Sequence, residues 1–130
     1  MVYFYTHMAD QGKTLLIIDD SPFIITGLLH QLEGMPAIKK VFTAESYAEA
    51  EPILRKSPPD ILLLDIHLPD VNGIEILRRV RQQYPSVVVI MISNQEGDVY
   101  RSRCKALGAA HYIDKSTEFH LVPQIVSSFL

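Results

Sequence analysis

The 130-residue chain sets 12 Lys and Arg against 15 Asp and Glu, a formal net charge of −3, with 48% hydrophobic and 21% charged residues. These values suit one globular domain with a real core, and they leave no basic stripe for nucleic acid. Cys104 is the sole cysteine, which excludes an internal disulfide and reads as a small core residue in a reducing compartment. No apolar run reaches membrane-spanning length and no charged-then-apolar leader is present, so the chain reads as cytoplasmic.

Residues 1–13 read as an N-terminal extension, either an upstream or expression-derived segment or an edge element packing its aromatics, and 14–130 as the folded domain. Thr14 to Ile18 predicts a short strand ending in Asp19 and Asp20. Ser21-Pro22 then supplies a helix cap and a first-turn proline. Ile24, Leu28, Leu32 and Met35 form one helical stripe, stopped by Gly34 and Pro36. Ile38 to Thr43 predicts a second strand, and Ala44 to Lys56 a helix with Tyr47, Ala50 and Leu54 on one side.

After Pro58-Pro59 comes Ile61 to Leu64, an unbroken aliphatic run suited to a strand covered on both faces, and it ends in Asp65. Pro69, Asp70, Asn72 and Gly73 are loop and turn residues. Ile74, Leu77, Val80 and Tyr84 line the next helix, and Val87 to Ile92 forms an apolar strand ending in Ser93. Gln95 to Leu107 has only a weak stripe (Tyr100, Cys104, Leu107) and is expected to be the least buried helix. Gly108 caps it. Ala110 to Ile113 predicts a fifth strand, followed by Lys115, and Pro123 limits the last helix to about Leu121 to Phe129. Strands alternating with helices over short loops imply an α/β fold with right-handed crossovers and a parallel sheet between helices.

The strand ends gather the chemistry. With strand order 2-1-3-4-5, Asp19, Asp20, Asp65, Ser93 and Lys115 converge on one sheet edge, where open α/β sheets place their sites. Two carboxylates about 4 Å apart repel by roughly 4 kcal/mol at an effective dielectric of about 20. Three of them beside one Lys call for another cation, and a hard divalent ion such as Mg²⁺ suits oxygen ligands. The formal charges then sum to zero, and the ion's open positions remain for a phosphoryl group. A carboxylate nucleophile with a metal and an ammonium is a phosphoryl-acceptor design.

Asp19-Asp20 after the first strand, Asp65 before the Pro69 and Gly73 loop, Ser93 after the fourth strand, and Tyr112-Ile113-Asp114-Lys115 resemble the receiver domain of two-component response regulators, of the kind found in chemotaxis regulators. The resemblance covers Thr14 to about the C-terminus, and all five motifs stand in the family's order. It implies a flavodoxin-like fold, a five-stranded parallel sheet of order 2-1-3-4-5 with helices on both faces. It also implies a phosphoacceptor signalling domain rather than an enzyme, one that assists its own phosphotransfer and dephosphorylation. The phosphoryl group would come from a phosphohistidine on a sensor histidine kinase or phosphotransfer protein.

Residue by residue, the resemblance makes Asp65 the phosphoacceptor. Asp19, Asp20, Asp65 and the backbone carbonyl of His67 would hold Mg²⁺, with Mn²⁺ as a substitute. Lys115 and Ser93 would bind the phosphoryl oxygens, and Tyr112 would be the aromatic switch. The readout face would be residues 95–130, through which a homodimer could form. DNA would be reached only through an output domain absent from this stretch, and no membrane is involved.

His67, Asn94 and Gln95 occupy positions where the family tunes phosphoryl lifetime. Asn94 stands where a small residue is usual, and Ser116 where the family often has proline, so no proline-linked cis bond is expected. With His67 and Gln95 flanking the acceptor, an atypical lifetime is expected. Taken alone, Asp19-Asp20 is helix-start chemistry, Lys115 a solvated charge and Tyr112 an edge-of-core aromatic. Arg101, Arg103, Lys105 and Arg78 to Arg81 read as solvated helix faces. A haloacid-dehalogenase-type enzyme would need a second Asp where His67 stands. A nucleotide-binding flavodoxin-like protein would need a glycine-rich loop after the first strand. A receiver used only for protein contacts would keep the fold without the chemistry.

Overall fold

The computed structural model describes residues 2–5, 12–94 and 97–130. Its sheet follows from which residues can be buried twice over. β2 (Lys13–Ile18), β4 (Ile61–Leu64) and β5 (Val88–Ser93) are almost wholly buried, and β3 (Ile38–Ala44) and β6 (His111–Asp114) flank them. These five strands are parallel, in the order β3-β2-β4-β5-β6. Counted from β2 as the first, this is the expected 2-1-3-4-5. A sixth strand, β1 (Val2–Tyr5), lies antiparallel to β3 on the outer edge. That strand falls in the extension for which the sequence left open an edge element.

Period-two alternation divides the core into two layers. Leu15, Ile17, Ile61, Leu63, Ile90, Ile92 and Ile113 pack beneath α1 (Pro22–Leu32) and α5 (Val122–Ser127). Leu16, Ile18, Leu62, Leu64, Val89, Met91 and Tyr112 pack against α2 (Tyr47–Lys56), α3 (Gly73–Gln83) and α4 (Asp98–Ala106). Helices therefore cover both faces, as expected for an α/β domain. No described helix is long and apolar enough to cross a membrane.

Several boundaries move from their sequence-based positions. The α1 stripe centres on Ile25, Leu28 and Leu32 instead of Ile24. α2 starts at Tyr47, because Ser46 caps it by accepting from the Glu49 N–H at 3.2 Å, and it accommodates Pro52 in its interior. The last helix is shorter than expected, Val122–Ser127, entered through a 3-10 turn at Phe119–Leu121. Pro123 does fall in its first turn. α4 buries only Cys104 and has no side-chain N-cap, the weakest anchoring of the longer helices.

The loop after β4 depends on one glycine. Its N–H donates to the Ile66 carbonyl at 2.7 Å, closing the loop at Gly73. A Cβ there would overlap the Asp65 carbonyl oxygen and come within 2.7 Å of the Ile66 Cα, all rigid backbone. Gly73→Ala is therefore expected to destabilise the domain by about 3 kcal/mol, read from urea unfolding midpoints at constant slope.

Candidate phosphoryl and metal site

The sheet ladder fixes where the acids stand. Ile18 is paired with Leu64, so the next residues, Asp19 and Asp65, are neighbours across the sheet. The Asp65 N–H donates to the Ile18 carbonyl at 2.9 Å, carrying the ladder one step further. Asp19, Asp65 and Lys115 continue the alternation of Ile17, Leu63 and Ile113. They are therefore in phase with the layer beneath α1 and α5.

The result is a buried ion cluster. Asp19 is 0% and Asp65 5% exposed, and one carboxylate oxygen from each of Asp19, Asp20 and Asp65 lies within 4.8 Å of the others. The Lys115 ammonium stands 2.7 Å from Asp19 Oδ2 and 3.4 Å from Asp65 Oδ1. Asp20 is exposed at the mouth. Burial, then the neighbouring Asp19 charge, pushes the Asp65 carboxyl from 3.8 up to about 6, against the opposing pull of Lys115.

The helix-start chemistry that the sequence allowed for this acidic pair is present too. Asp19 Oδ1 accepts from the Ser21 N–H at 2.9 Å, and Ser21 caps α1 by accepting from the Ile24 N–H at 3.3 Å. Its other oxygen, Oδ2, is buried and takes no hydrogen bond, because the Lys115 contact lies outside hydrogen-bond geometry. That oxygen already faces one cation, and the acids clustered around it suit a second. Among the described residues this is the one acidic cluster able to hold a metal, and its all-oxygen donors fit a hard ion of the Mg²⁺ kind.

Beside the cluster an open cavity of about 410 Å³ is lined by Asp20, Asp65, His67, Asn94, Lys115 and Phe23. His67 and Asn94 thus stand at the mouth, both exposed, while Gln95 lies outside the described residues. Ser93 and Tyr112 are buried together in the other core layer and share a hydrogen bond. The Lys115 N–H donates to the Ser93 carbonyl at 2.9 Å, carrying the β5–β6 ladder one step further.

Three arginines depart from the expected solvated faces. The Arg101 guanidinium lies 5.0 Å from the Tyr112 ring centroid, donates to the Tyr112 carbonyl at 2.9 Å and pairs with Glu118 at 2.9 Å. Arg81 donates to the Val87 carbonyl at 2.7 Å, and Arg79 stacks on Tyr47 at 5.2 Å. Arginine combines an apolar stem with a planar donor fork, so a tertiary partner decides its environment. The sequence also read Asp70 only as a turn residue. Its carboxylate instead accepts from the N–H groups of Tyr47 at 3.0 Å and Ala48 at 2.9 Å, at the start of α2.

The chain matches the family model described as the response regulator receiver domain over residues 15–127. It is 34% identical over 110 residues to the nitrate/nitrite response regulator protein NarL of Escherichia coli (strain K12), covering 83% of this chain and 50% of that protein. It is 32% identical over 104 residues to the transcriptional regulatory protein DegU of Brevibacillus brevis, covering 80% of this chain and 44% of that protein. The chain thus spans about half the length of these curated relatives. A two-component response regulator of the LuxR family from Aurantimonas sp. SI85-9A1 superposes with TM-score 0.79 at 27% identity, over 91% of this chain and 85% of that one. The isolated receiver domain of RcsB from Salmonella enterica serovar Typhimurium, solved with a phosphomimetic, shares the fold with TM-score 0.83 at 19% identity, over 89% and 86%. The chain belongs to the response regulator receiver domains of two-component systems.

Proposed function

We propose that this receiver accepts a phosphoryl group on Asp65 from the phosphohistidine of a sensor histidine kinase or phosphotransfer protein. The reading is carried by one observation: the buried Asp65 carboxylate lies beside two further acids and 3.4 Å from the Lys115 ammonium, open to a cavity. An Asp65 oxygen attacks phosphorus, the P–N bond breaks as an O–P bond forms, and the imidazole leaves with the bond's electron pair. Lys115 neutralises the transferring oxygens. The Ser93 hydroxyl moves to donate to them, and Tyr112, already buried against Ser93, fills the space it leaves.

Asp19, Asp20, Asp65 and the His67 carbonyl would hold Mg²⁺, or Mn²⁺ in its place. The bound ion supplies charge stabilisation of the phosphoryl oxygens. Phosphorylation adds about one net negative charge, so it biases an existing equilibrium of the 95–130 face. That face, including the Arg101–Tyr112 contact, would then dock a partner or a second copy of the chain. This stretch would be the receiver of a longer transcriptional regulator, reaching DNA only indirectly through an output domain, or a stand-alone receiver. The chain acts as a regulatory phosphoacceptor that assists its own transfer and hydrolysis.

Acetyl phosphate with Mg²⁺ is expected to label wild-type protein and leave Asp65→Asn unlabelled, as read by intact-mass spectrometry; equal labelling of the variant would remove Asp65 from its role. In chelator at neutral pH the same variant should be more stable than wild type by on the order of 1 kcal/mol. The sign follows from the raised Asp65 pKa: at neutral pH both states hold the carboxylate ionised, and only the folded state buries it. Urea unfolding reads this, and a less stable variant would mean that the Lys115 pair outweighs burial. The phosphoryl lifetime is set at His67, Asn94 and Gln95. A His67→Ala, Gln95→Ala double variant should change the decay rate of the label, whereas overlaid decay curves would exclude His67 and Gln95.

A further inference from the structure

We propose that the pocket between α4 and β6 is the docking site for an acidic segment of a partner protein, which seats a carboxylate against Arg101, Lys105 and His111. The inference rests on the reading of residues 95–130 as the readout face, and it names the chemistry of what that face takes. The pocket follows from a run of small residues. Gly108, at φ 102°, takes the left-handed turn that ends α4 and leads the chain back into β6. Ala109 and Ala110 bring only methyl groups to this turn, and a cavity of about 250 Å³ stands beside them and Tyr112. The backbone here is satisfied, with the N–H groups of Gly108, Ala109 and Ala110 donating to the carbonyls of Lys105, Cys104 and Val89 at 3.0, 3.0 and 2.8 Å. An occupant therefore meets side chains.

Those side chains are cationic on a chain whose net charge is −3. Arg101 and Lys105 stand one turn apart on α4, and His111 opens β6; no acid shares the lining. Lys105 and His111 are exposed and enter no ion pair among the described residues. Glu118, 2.9 Å from Arg101, offsets part of the guanidinium charge. Arg101 still commits only Nη1 to the Tyr112 carbonyl and Nη2 to Glu118, and a guanidinium carries further N–H donors in the same plane.

Charge complementarity selects the occupant. A planar donor fork beside an ammonium and an imidazole recognises the carboxylates of acidic motifs. The volume lies below the roughly 300 Å³ at which sites for drug-sized ligands begin, so it suits one or two side chains of a peptide. A second copy of this chain fits less well, since a two-fold contact centred here would set Lys105 and His111 against their own counterparts. Arg101 also connects the pocket to the strand ends. Its guanidinium lies 5.0 Å from the Tyr112 ring centroid, and Tyr112 shares a hydrogen bond with Ser93. A carboxylate on Arg101 would share that guanidinium with Tyr112, so a shift of Tyr112 would change the affinity.

The test is a titration with acetylated, amidated tetraglutamate at low ionic strength, followed by amide shifts in NMR, with tetraglutamine as the uncharged control. Tetraglutamate is expected to shift the amides of Lys105 and of residues 109–112, and tetraglutamine to leave them in place. Lys105→Glu should weaken binding about tenfold, because it replaces an attraction with a repulsion. Ala110→Leu keeps every charge and fills the cavity, so it should weaken binding as well, and it serves if the charge reversal perturbs α4. Wild-type affinity in either variant, or equal shifts from tetraglutamine, overturns the proposal. So does a wild-type dimer in light-scattering chromatography that Lys105→Glu abolishes, which would make a second copy the occupant. Labelling Asp65 with acetyl phosphate and Mg²⁺ before a second titration separates this inference from the reading beneath it. An unchanged affinity after labelling would overturn the readout reading of the face, whereas absent binding in both states would overturn the pocket.

Discussion

Asp19 and Asp65, buried side by side against one Lys115 ammonium, are the constraint around which this domain is arranged. A buried ion cluster is a poor source of stability, because desolvation cancels most of the attraction and an apolar replacement is often neutral or better. The raised Asp65 pKa states the same balance from the side of one group, with burial and Asp19 outweighing Lys115. Such a set of charges, with Asp19 Oδ2 facing the Lys115 ammonium and taking no hydrogen bond, is suited to a further cation. The fold supplies the rigidity, since both acids follow directly on paired residues of the two central strands.

The sheet's alternation then separates the acidic cluster from the Ser93–Tyr112 pair. Asp19, Asp65 and Lys115 are in phase with the core layer beneath α1 and α5, whereas Ser93 and Tyr112 belong to the layer beneath α2, α3 and α4. The Lys115 N–H to Ser93 carbonyl bond makes Ser93 and Lys115 neighbours along the sheet edge. Arg101 continues the connection outward by covering the Tyr112 ring and pairing with Glu118. Ser93, Tyr112 and Arg101 thus form a run of contacts from the strand ends to α4.

How much of this was legible in the sequence depended on how local each cause is. Ile61 to Leu64 announced a doubly covered strand because every residue in it is apolar, and the acids at the strand ends were visible as abrupt changes of type. Helix faces were placed to within about one position, since a stripe of period 3.6 blurs over adjacent residues. Ser46 was overlooked as the α2 cap because Ala44 and Glu45 also tolerate a helix, and the capping bond decides the start. Arg101 and Asp70 were misread for a different reason. Their partners, Tyr112, Glu118, Tyr47 and Ala48, become neighbours only once the chain is folded.

The contrast between helices indicates where a small bias can act. α2 has Ser46 and Asp70 at its N-terminus, and α3 has Asn72 and the Gly73 closure, so moving either would break several hydrogen bonds at once. α4 has Gly97 in place of a capping side chain and buries a single residue, Cys104. One added charge shifts an equilibrium only by its differential interaction with two states, typically a few kcal/mol at most. Such a bias is too small to reorganise the capped helices, yet it matches an element held by one buried thiol and the Arg101 contacts to Tyr112 and Glu118. On the proposed reading, the weak apolar stripe of α4 is the physical condition that would let a phosphoryl group at Asp65 be read at the opposite layer of the sheet.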